Sequence, residues 1–278
     1  MPFASNAHTH CTWCDGKNTI PEMLEAARAL GFVSLGFSSH AAQGFDAGYS
    51  MSEVHQRGYF EELRALQRSG APLRVWAGLE LDALARPKEL DMAREADYLI
   101  GSTHYVLAEP GGEYVAVDGD PARLRAYVDE CFAGDGLALA RRFYQIESDF
   151  LLRQRPAIIG HFDLVRIRAA RLGLFEESDP AYRRLALDAL ERAYPCGAVL
   201  EVNTGAMARG YLPTPYPTLE LLSAWREMGG RVTLTSDCHN RRLLNYAFEE
   251  ALALLRRAGY QSVLRLGTGT ALWEEEEL

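Results

Sequence analysis

Histidine and carboxylate side chains stand in short, separated clusters along the chain. Six of the seven histidines occur in such clusters, which read His8-Thr9-His10, Ser38-Ser39-His40, Ser102-Thr103-His104, Gly160-His161 and Ser236-Asp237-Cys238-His239. Glu80 ends a similar run that begins at Val75. The neutral imidazole is the commonest metal ligand in proteins. A mixture of imidazole and carboxylate suits Zn, Mn or Fe, whereas Ca and Mg prefer oxygen ligands. The clusters therefore predict a site for divalent transition-metal ions.

The number of candidate ligands indicates more than one ion. Side chains two residues apart in a strand point to the same side, so His8 can project with His10, and Asp237 with His239. The predicted ligands are His8, His10, Asp15, His40, Glu80, His104, His161, Asp237 and His239. Three protein ligands hold an open catalytic zinc and four close a structural one. This set therefore predicts two or three ions.

Short apolar runs end at the clusters and alternate with amphipathic segments. The predicted strands cover 3–9, 33–38, 73–81, 97–103, 157–161, 197–203 and 230–236, with a further one near 262–267. The predicted helices begin at Pro21 and end before Gly31, or cover 51–69, 120–134, 136–154, 180–194, 217–229 and 240–258. Repeated strand–helix units indicate an α/β fold with a parallel sheet, whose active site lies at the carboxyl ends of the strands. That edge is where the clusters fall.

The chain has no linker-like tract, which favours one domain over residues 1–278. The segments 42–60 and 105–120 are long enough to be loops over a site, and we expect 42–60 to form a lid. The run Glu274–Glu277 is expected to be a solvated tail, and His55 an exposed residue or a substrate contact.

The composition of the chain argues against some binding partners and some cellular locations. The formal charge of −9 and the lack of a Lys/Arg-rich block argue against a general nucleic-acid or membrane-surface binder. No apolar run reaches the roughly 18 residues of a spanning helix, and the start at Met1–Ala7 lacks the pattern of a signal peptide. Five scattered cysteines do not suit a disulfide framework, so we expect a cytoplasmic protein. The pair Cys11 and Cys14 is open to three interpretations: incidental loop cysteines, a redox pair, or assistance to metal binding.

Taken in order, the motifs resemble those of the PHP (polymerase and histidinol phosphatase) family, specifically its histidinol-phosphate phosphatase branch. The matching pieces, which span residues 8 to 239, are His8-Thr9-His10, Asp15-Gly16, Ser39-His40, Gly78-Leu79-Glu80, Ser102-Thr103-His104, Gly160-His161-Phe162-Asp163 and Ser236-Asp237-Cys238-His239. Many family members have histidine at the position of Asp15. The resemblance implies a distorted (β/α)7 barrel with a trinuclear metal centre. It also implies hydrolysis of L-histidinol phosphate, a small phosphorylated substrate, in histidine biosynthesis.

The resemblance further implies which residues hold each ion. His8, His10, Glu80 and Asp237 would hold the first. Glu80 would bridge to the second, held also by His104 and His161, and Asp15, His40 and His239 would hold the third. A metal-bridging hydroxide would then attack phosphorus. Glu80, Asp237 and His239 are accordingly the predicted catalytic residues.

Phosphoryl transfer also needs a cation or a hydrogen-bond donor on the phosphate. The predicted substrate-binding residues are Lys17, Arg142, His40 and Asn203, and the other candidate cations are Arg141, Arg166 and Arg209. For the amine and imidazole of histidinol phosphate, the candidates are Tyr49, Tyr105, Asp163 and the lid.

Three alternatives stay open. Another phosphoesterase of the same scaffold would act on nucleotides, phosphotyrosine or, as a 3′–5′ exonuclease, on nucleic acid, for which an acidic chain offers no obvious basic groove. A non-catalytic metal-stabilised domain is disfavoured because every expected ligand position is filled. A metal-dependent amidohydrolase would usually place a lysine between two ions, whereas here Glu80 takes that place.

Overall fold

The computed structural model describes residues 3–46 and 48–278. Three residues of the predicted single domain lie outside the described residues: Met1, Pro2 and Ala47. Ala47 also belongs to the predicted lid. The strands are β1 Ser5–Asn6, β2 Ser34–Phe37, β3 Arg74–Asp82, β4 Tyr98–Ser102, β5 Tyr105–Leu107, β6 Tyr114–Ala116, β7 Ile158–Ile159, β8 Val199–Asn203, β9 Val232–Thr235, β10 Ser262–Leu266 and β11 Trp273–Glu277. All predicted strands therefore exist, several of them shorter than expected.

Helices connect most of these strands. They are α1 Ile20–Ala29, α2 Glu53–Ser69, α3 Pro87–Ala93, α4 Pro121–Phe132, α5 Gly136–Gln154, α6 Pro180–Ala193, α7 Gly205–Ala208, α8 Leu219–Glu227 and α9 Phe248–Arg257. Helix α1 begins with a capping box, in which Thr19 accepts from the backbone of Glu22 and the Glu22 side chain returns to Thr19. Its apolar positions, which include Met23 and Leu24, are buried against the sheet.

Among the described residues, the strands form a mostly parallel nine-stranded sheet in the order β1-β2-β3-β4-β7-β8-β9-β10-β11, in which β11 is antiparallel to β10. Strands β5 and β6 form a separate hairpin. The segment after β1 also meets the segment after β9, because Thr9 and Cys238 form a parallel bridge and the His10 N–H donates to the Cys238 carbonyl at 2.9 Å. The structure is therefore a mixed α/β fold that brings the carboxyl ends of its parallel strands together.

Two predictions about the elements are wrong. The run Glu274–Glu277 is not a solvated tail, because it lies in β11, which pairs with β10, and Arg265 forms ion pairs with Glu274 and Glu276. The last helix does not cover 240–258. It begins at Phe248, because Ala247 has a φ of 54°, which interrupts a right-handed helix. Within the described residues, none of the helices is long and apolar enough to cross a membrane.

Candidate metal centre and substrate cavity

The carboxyl ends of the strands bring all nine predicted metal ligands together. His8 and His10 follow β1, His40 follows β2, and Glu80 lies near the end of β3. The others follow later strands or a neighbouring loop: Asp15, His104, His161, Asp237 and His239. Because parallel strands end at one edge of the sheet, residues far apart in the chain meet there.

Glu80 occupies the centre of the cluster and is buried. Its Oε2 lies 2.9 Å from His40 Nδ1, 3.3 Å from His8 Nε2 and 3.5 Å from His10 Nε2. One carboxylate oxygen thus faces three imidazole nitrogens.

The other oxygen of Glu80 faces a second pair of histidines. Its Oε1 lies 3.0 Å from His161 Nε2 and 3.4 Å from His104 Nε2. A carboxylate with imidazoles on both oxygens has the arrangement that a bridging ligand between two metal ions needs.

Two aspartates complete the cluster on its cavity side. Asp237 Oδ1 lies 3.2 Å from His10 Nε2 and 3.6 Å from both His8 Nε2 and His239 Nδ1. Asp15 Oδ2 lies 3.2 Å from His239 Nε2, and its Oδ1 lies 3.8 Å from His40 Nε2. Asp237 has a φ of 47°, in the left-handed region that most residues avoid, so the turn after β9 holds its carboxylate in place against a backbone cost.

The donor set fits metal ions. Four buried atoms at the centre of the cluster have no hydrogen-bond partner within the described chain: His8 Nε2, His10 Nε2, His40 Nδ1 and Glu80 Oε2. Buried polar atoms without partners are costly, and metal coordination removes that cost. Three groups offer ligand atoms within 4.8 Å of one another, namely His10 with Asp15, His40 and His239, His8 with His10 and Glu80, and His40 with Glu80 and His104.

The pKa shifts in the cluster follow from burial and from its mixed charges. Burial, together with the neighbouring His239 and His40, lowers the pKa of His10 to about 3. Burial raises the pKa of Glu80, but the adjacent histidines outweigh it and hold the pKa of that carboxyl well below its usual value. A neutral imidazole and an ionised carboxylate are the forms that bind a metal ion, so these shifts of His10 and Glu80 favour binding. At His8 and His104 the neighbouring carboxylates outweigh burial and raise the pKa, so a metal ion must displace a proton there.

Two buried carboxylates that sequence reasoning did not place in the site support the ligands from behind. Glu201 Oε2 lies 2.9 Å from His8 Nδ1, and Glu201 Oε1 accepts from the His161 backbone N–H at 2.6 Å. Asp82 Oδ2 accepts from the His104 backbone N–H at 3.0 Å. Such carboxylate partners fix the tautomer and orientation of metal-binding histidines. An acidic residue inside the apolar strand Val199–Asn203 was the available signal for Glu201.

A cavity of about 560 Å³ opens over the cluster. Its wall includes Asp15, His40, His104, His161, Asp237 and His239 from the cluster, and also Lys17, Asp46, Tyr49, Tyr105, Asp118, Leu164, Ile167, Arg209 and Tyr211. Its volume is in the range of small-molecule sites.

Two of the four predicted substrate-binding residues line the cavity and two do not. Lys17 and His40 line the cavity. Arg142 lies on α5 outside it and donates to the Leu107 carbonyl at 2.7 Å. Asn203 is buried behind the cluster, where its amide donates to Glu201 Oε1 at 2.8 Å.

Arg209 is the candidate arginine that lines the cavity among the described residues. The sequence offered several candidate arginines and did not favour this one. Its Nη2 donates to Asp237 Oδ2 at 2.7 Å. Arg166 is instead buried and donates to Asp163 Oδ2 at 2.9 Å and to the Pro215 carbonyl at 2.6 Å. Arg141 is an exposed residue of α5 and does not line the cavity.

Of the residues predicted to bind the amine and imidazole of the substrate, some line the cavity and others do not. Tyr49 and Tyr105 line the cavity with ring centroids 6.2 Å apart, and Tyr49 belongs to the predicted lid 42–60. Asp163 does not line it, because its carboxylate is buried against Arg166 and the Thr218 backbone N–H. His55 is exposed on α2, outside the cavity.

Cys11 and Cys14 are free thiols beside the metal cluster. Cys14 Sγ lies 3.5 Å from His10 Nδ1. Burial raises the pKa of Cys11 to about 11 and that of Cys14 to about 12, which disfavours the thiolate that redox chemistry requires.

The family model of the PHP domain matches residues 6–205, which is most of the chain and includes the cluster as far as His161 and Glu201. The chain belongs to the PHP domain family. This PHP domain is 28% identical to a protein of Deinococcus radiodurans named "Probable histidinol-phosphatase", over 95% of this chain and 96% of the relative. It is 24% identical to a protein of the same name from Schizosaccharomyces pombe, over 97% of this chain and 90% of the relative.

A solved structure confirms the mixed α/β class predicted for this PHP domain. The crystal structure of histidinol phosphate phosphatase from Lactococcus lactis, complexed with zinc, L-histidinol and phosphate, aligns with a TM-score of 0.62. The alignment covers 97% of this chain and 98% of the other, at 17% sequence identity. The two proteins therefore share a mixed α/β architecture.

Proposed function

We propose that this PHP domain is a metal-dependent phosphomonoesterase that hydrolyses L-histidinol phosphate to L-histidinol and phosphate. The observation that carries the proposal is the cluster of eight histidine and aspartate side chains around Glu80, at the base of a cavity of about 560 Å³. Two relatives that match nearly the whole chain are named as histidinol phosphatases, which supports this substrate over the nucleotides and phosphotyrosine that related scaffolds could take. The reaction would be a step of histidine biosynthesis, and the cytoplasmic location stays a prediction.

The proposed centre contains two to three divalent ions, of which Zn, Mn and Fe suit the donor set. Zinc is the metal in the Lactococcus lactis structure, which supports the choice. Glu80 would bridge the ion held by His8, His10 and Asp237 to a second held by His104 and His161, with the distances given above in support. Asp15, His40 and His239 would hold the third. The contacts between the segments after β1 and β9 support a distorted (β/α)7 barrel as the scaffold.

When bound, such ions lower the pKa of a water molecule and neutralise charge on a phosphoryl group. The residues of the chain do the rest. Arg209 reaches the cavity beside Asp237 and presents a guanidinium that suits two phosphate oxygens. Lys17 adds a second positive charge at the exposed side of the cavity. Glu201 and Asp82 hold His8 and His104 in orientation, which leaves Nε2 of both rings facing Glu80.

A substrate panel tests the proposal. Purified protein is assayed for phosphate release from L-histidinol phosphate, AMP and phosphotyrosine, and the metal content of the same sample is measured. We expect the highest kcat/KM for L-histidinol phosphate, loss of activity after chelation, and recovery when the metal is returned. A preference for AMP or phosphotyrosine would refute the substrate while retaining the reaction class, and full activity without metal would refute both.

Two histidine variants provide a matched comparison. His104→Gln removes a cluster nitrogen 3.4 Å from Glu80, so it should reduce both metal content and turnover. His55→Gln makes the same chemical change on an exposed face of α2, outside the cavity, and should leave both as in the wild type. Equal behaviour of the two variants would contradict the assignment of the cluster.

A further inference from the structure

Among the described residues, the cavity wall contains one aspartate whose carboxylate is used neither by the metal cluster nor by a hydrogen-bond partner in the chain. Four aspartates line its wall among the described residues. Asp15 lies beside His239 at 3.2 Å, and Asp237 accepts from Arg209 at 2.7 Å. The other two are not part of the metal cluster.

Of these two, only Asp118 lacks a partner for its carboxylate. Asp46 Oδ2 accepts from the Tyr105 hydroxyl at 2.6 Å, and its Oδ1 accepts from the Gly48 backbone N–H at 2.9 Å. Within residues 3–46 and 48–278, the structure gives the Asp118 carboxylate neither a hydrogen bond nor an ion pair, although the residue is half-buried. A carboxylate on the cavity wall without a partner in the chain is free to accept a charge-assisted hydrogen bond from a cationic group of a ligand.

The backbone fixes Asp118 next to the metal centre. The preceding residue, Val117, donates its N–H to the His104 carbonyl at 2.9 Å. The Asp118 carbonyl accepts from Arg168 Nη2 at 2.6 Å and from Nε at 3.2 Å. Because these contacts hold the loop on both sides, the position of Asp118 is set by the same hairpin that pairs Tyr105 with Ala116.

Asp118 shares the cavity wall with Tyr49 and with residues of the cluster. The ring centroid of Tyr49 lies 4.5 Å from that of His40. The cavity therefore has a negative group on the same wall as the cluster and Arg209.

We propose that Asp118 binds the ammonium group of the substrate and thereby selects amine-bearing phosphate esters over esters without an amine. The proposal rests on the function proposed above. In L-histidinol phosphate the ammonium stands on the carbon next to the one that carries the phosphate ester. The substrate thus carries its positive ammonium close to its negative phosphate. In the cavity, Asp118 would bind the ammonium, and the metal cluster and Arg209 on the same wall would bind the phosphate. Tyr49 and Tyr105 would flank the imidazole ring.

The test compares two substrates that differ by the amine alone. These are L-histidinol phosphate and 3-(imidazol-4-yl)propyl phosphate, each assayed for kcat/KM with metal content measured in the same samples. A charge-assisted contact predicts that Asp118→Asn lowers kcat/KM for L-histidinol phosphate by roughly 10- to 100-fold and that for the analogue by about twofold or less. Asp120→Asn is the matched control, because Asp120 is exposed at the start of α4, does not line the cavity, and asparagine caps a helix as well as aspartate.

Each outcome decides the proposal. The decisive quantity is the ratio of kcat/KM for L-histidinol phosphate to kcat/KM for the analogue. A fall in this ratio in Asp118→Asn with metal content retained, and no fall in Asp120→Asn, supports the proposal. An unchanged ratio in Asp118→Asn, or an equal loss on both substrates together with a loss of metal, overturns it while the phosphatase assignment stands. Failure of the wild-type protein to hydrolyse L-histidinol phosphate would instead refute the proposed function, and the role of Asp118 with it.

Discussion

Replacement of Glu201 by glutamine should weaken metal binding through a change in the tautomer of His8. Glu201 is fully buried, and two backbone or amide donors face its Oε1, the His161 N–H at 2.6 Å and the Asn203 amide at 2.8 Å. His8 Nδ1 lies 2.9 Å from its Oε2, to which the Thr235 hydroxyl also donates at 2.8 Å. A glutamine must keep its oxygen toward the two donors at Oε1, so its NH₂ group points at His8.

The proton of His8 then has to move. With an NH₂ group as neighbour, Nδ1 becomes the acceptor and the proton goes to Nε2, the atom that faces Glu80 at 3.3 Å and Asp237 at 3.6 Å. A protonated Nε2 cannot bind a metal ion. Loss of such a carboxylate partner costs about 10- to 100-fold in metal affinity, or about 1.4–2.8 kcal/mol.

The assay is calorimetric titration of zinc into metal-free Glu201→Gln and wild-type protein, with circular dichroism of the same samples to check folding. Thr235→Val is the control, because it removes the other hydrogen bond to the same oxygen and leaves the pairing with His8 in place. We expect this variant to lose about 1 kcal/mol of stability and to retain metal affinity within about threefold. A folded Glu201→Gln protein with wild-type zinc affinity would refute the reasoning.

Three further predictions follow from other parts of the molecule. Arg209→Gln should raise KM for the phosphate ester by roughly 10-fold or more with metal content retained, and steady-state kinetics with an unchanged KM would exclude Arg209 from phosphate binding. Burial, and then the charge of Asp163, raise the pKa of the buried Glu147 well above its usual value. Glu147 thus holds its proton more tightly in the folded than in the unfolded state, so its contribution to wild-type stability is full below about pH 4.3 and is lost as the pH rises through the raised folded-state pKa. Glu147→Gln removes this titration. Urea unfolding should therefore show that the free energy of unfolding of the variant rises relative to that of the wild type as the pH increases. A difference between the two free energies that does not change with pH would contradict the assignment. Iodoacetamide at pH 8 should modify the exposed Cys131 before the half-buried Cys14, whose pKa is about 12, as peptide mass spectrometry would detect. Faster labelling of Cys14 would argue against this raised pKa.

Much of the fold followed from local patterns. The apolar runs predicted the parallel strands, because a strand buried on both faces reads as a continuous apolar segment. The predictions at the C-terminal end failed for opposite reasons. Local periodicity cannot show the positive φ of Ala247, which delays α9, and the acidic run Glu274–Glu277 becomes a strand only because β10 offers a free edge and Arg265 supplies the opposite charge.

The sequence by itself predicted which histidine and carboxylate side chains gather in the cluster. Metal binding depends on residue type, and parallel topology brings strand ends to one edge wherever the strands lie, so His8, Glu80 and Asp237 could be grouped without coordinates. The tertiary structure alone decided the supporting and substrate-facing residues. Glu201 supports His8, and Arg209 and Asp118 reach the cavity in place of Arg142 and Asp163. These roles depend on loop paths and on contacts between distant segments, which no local pattern of residues contains.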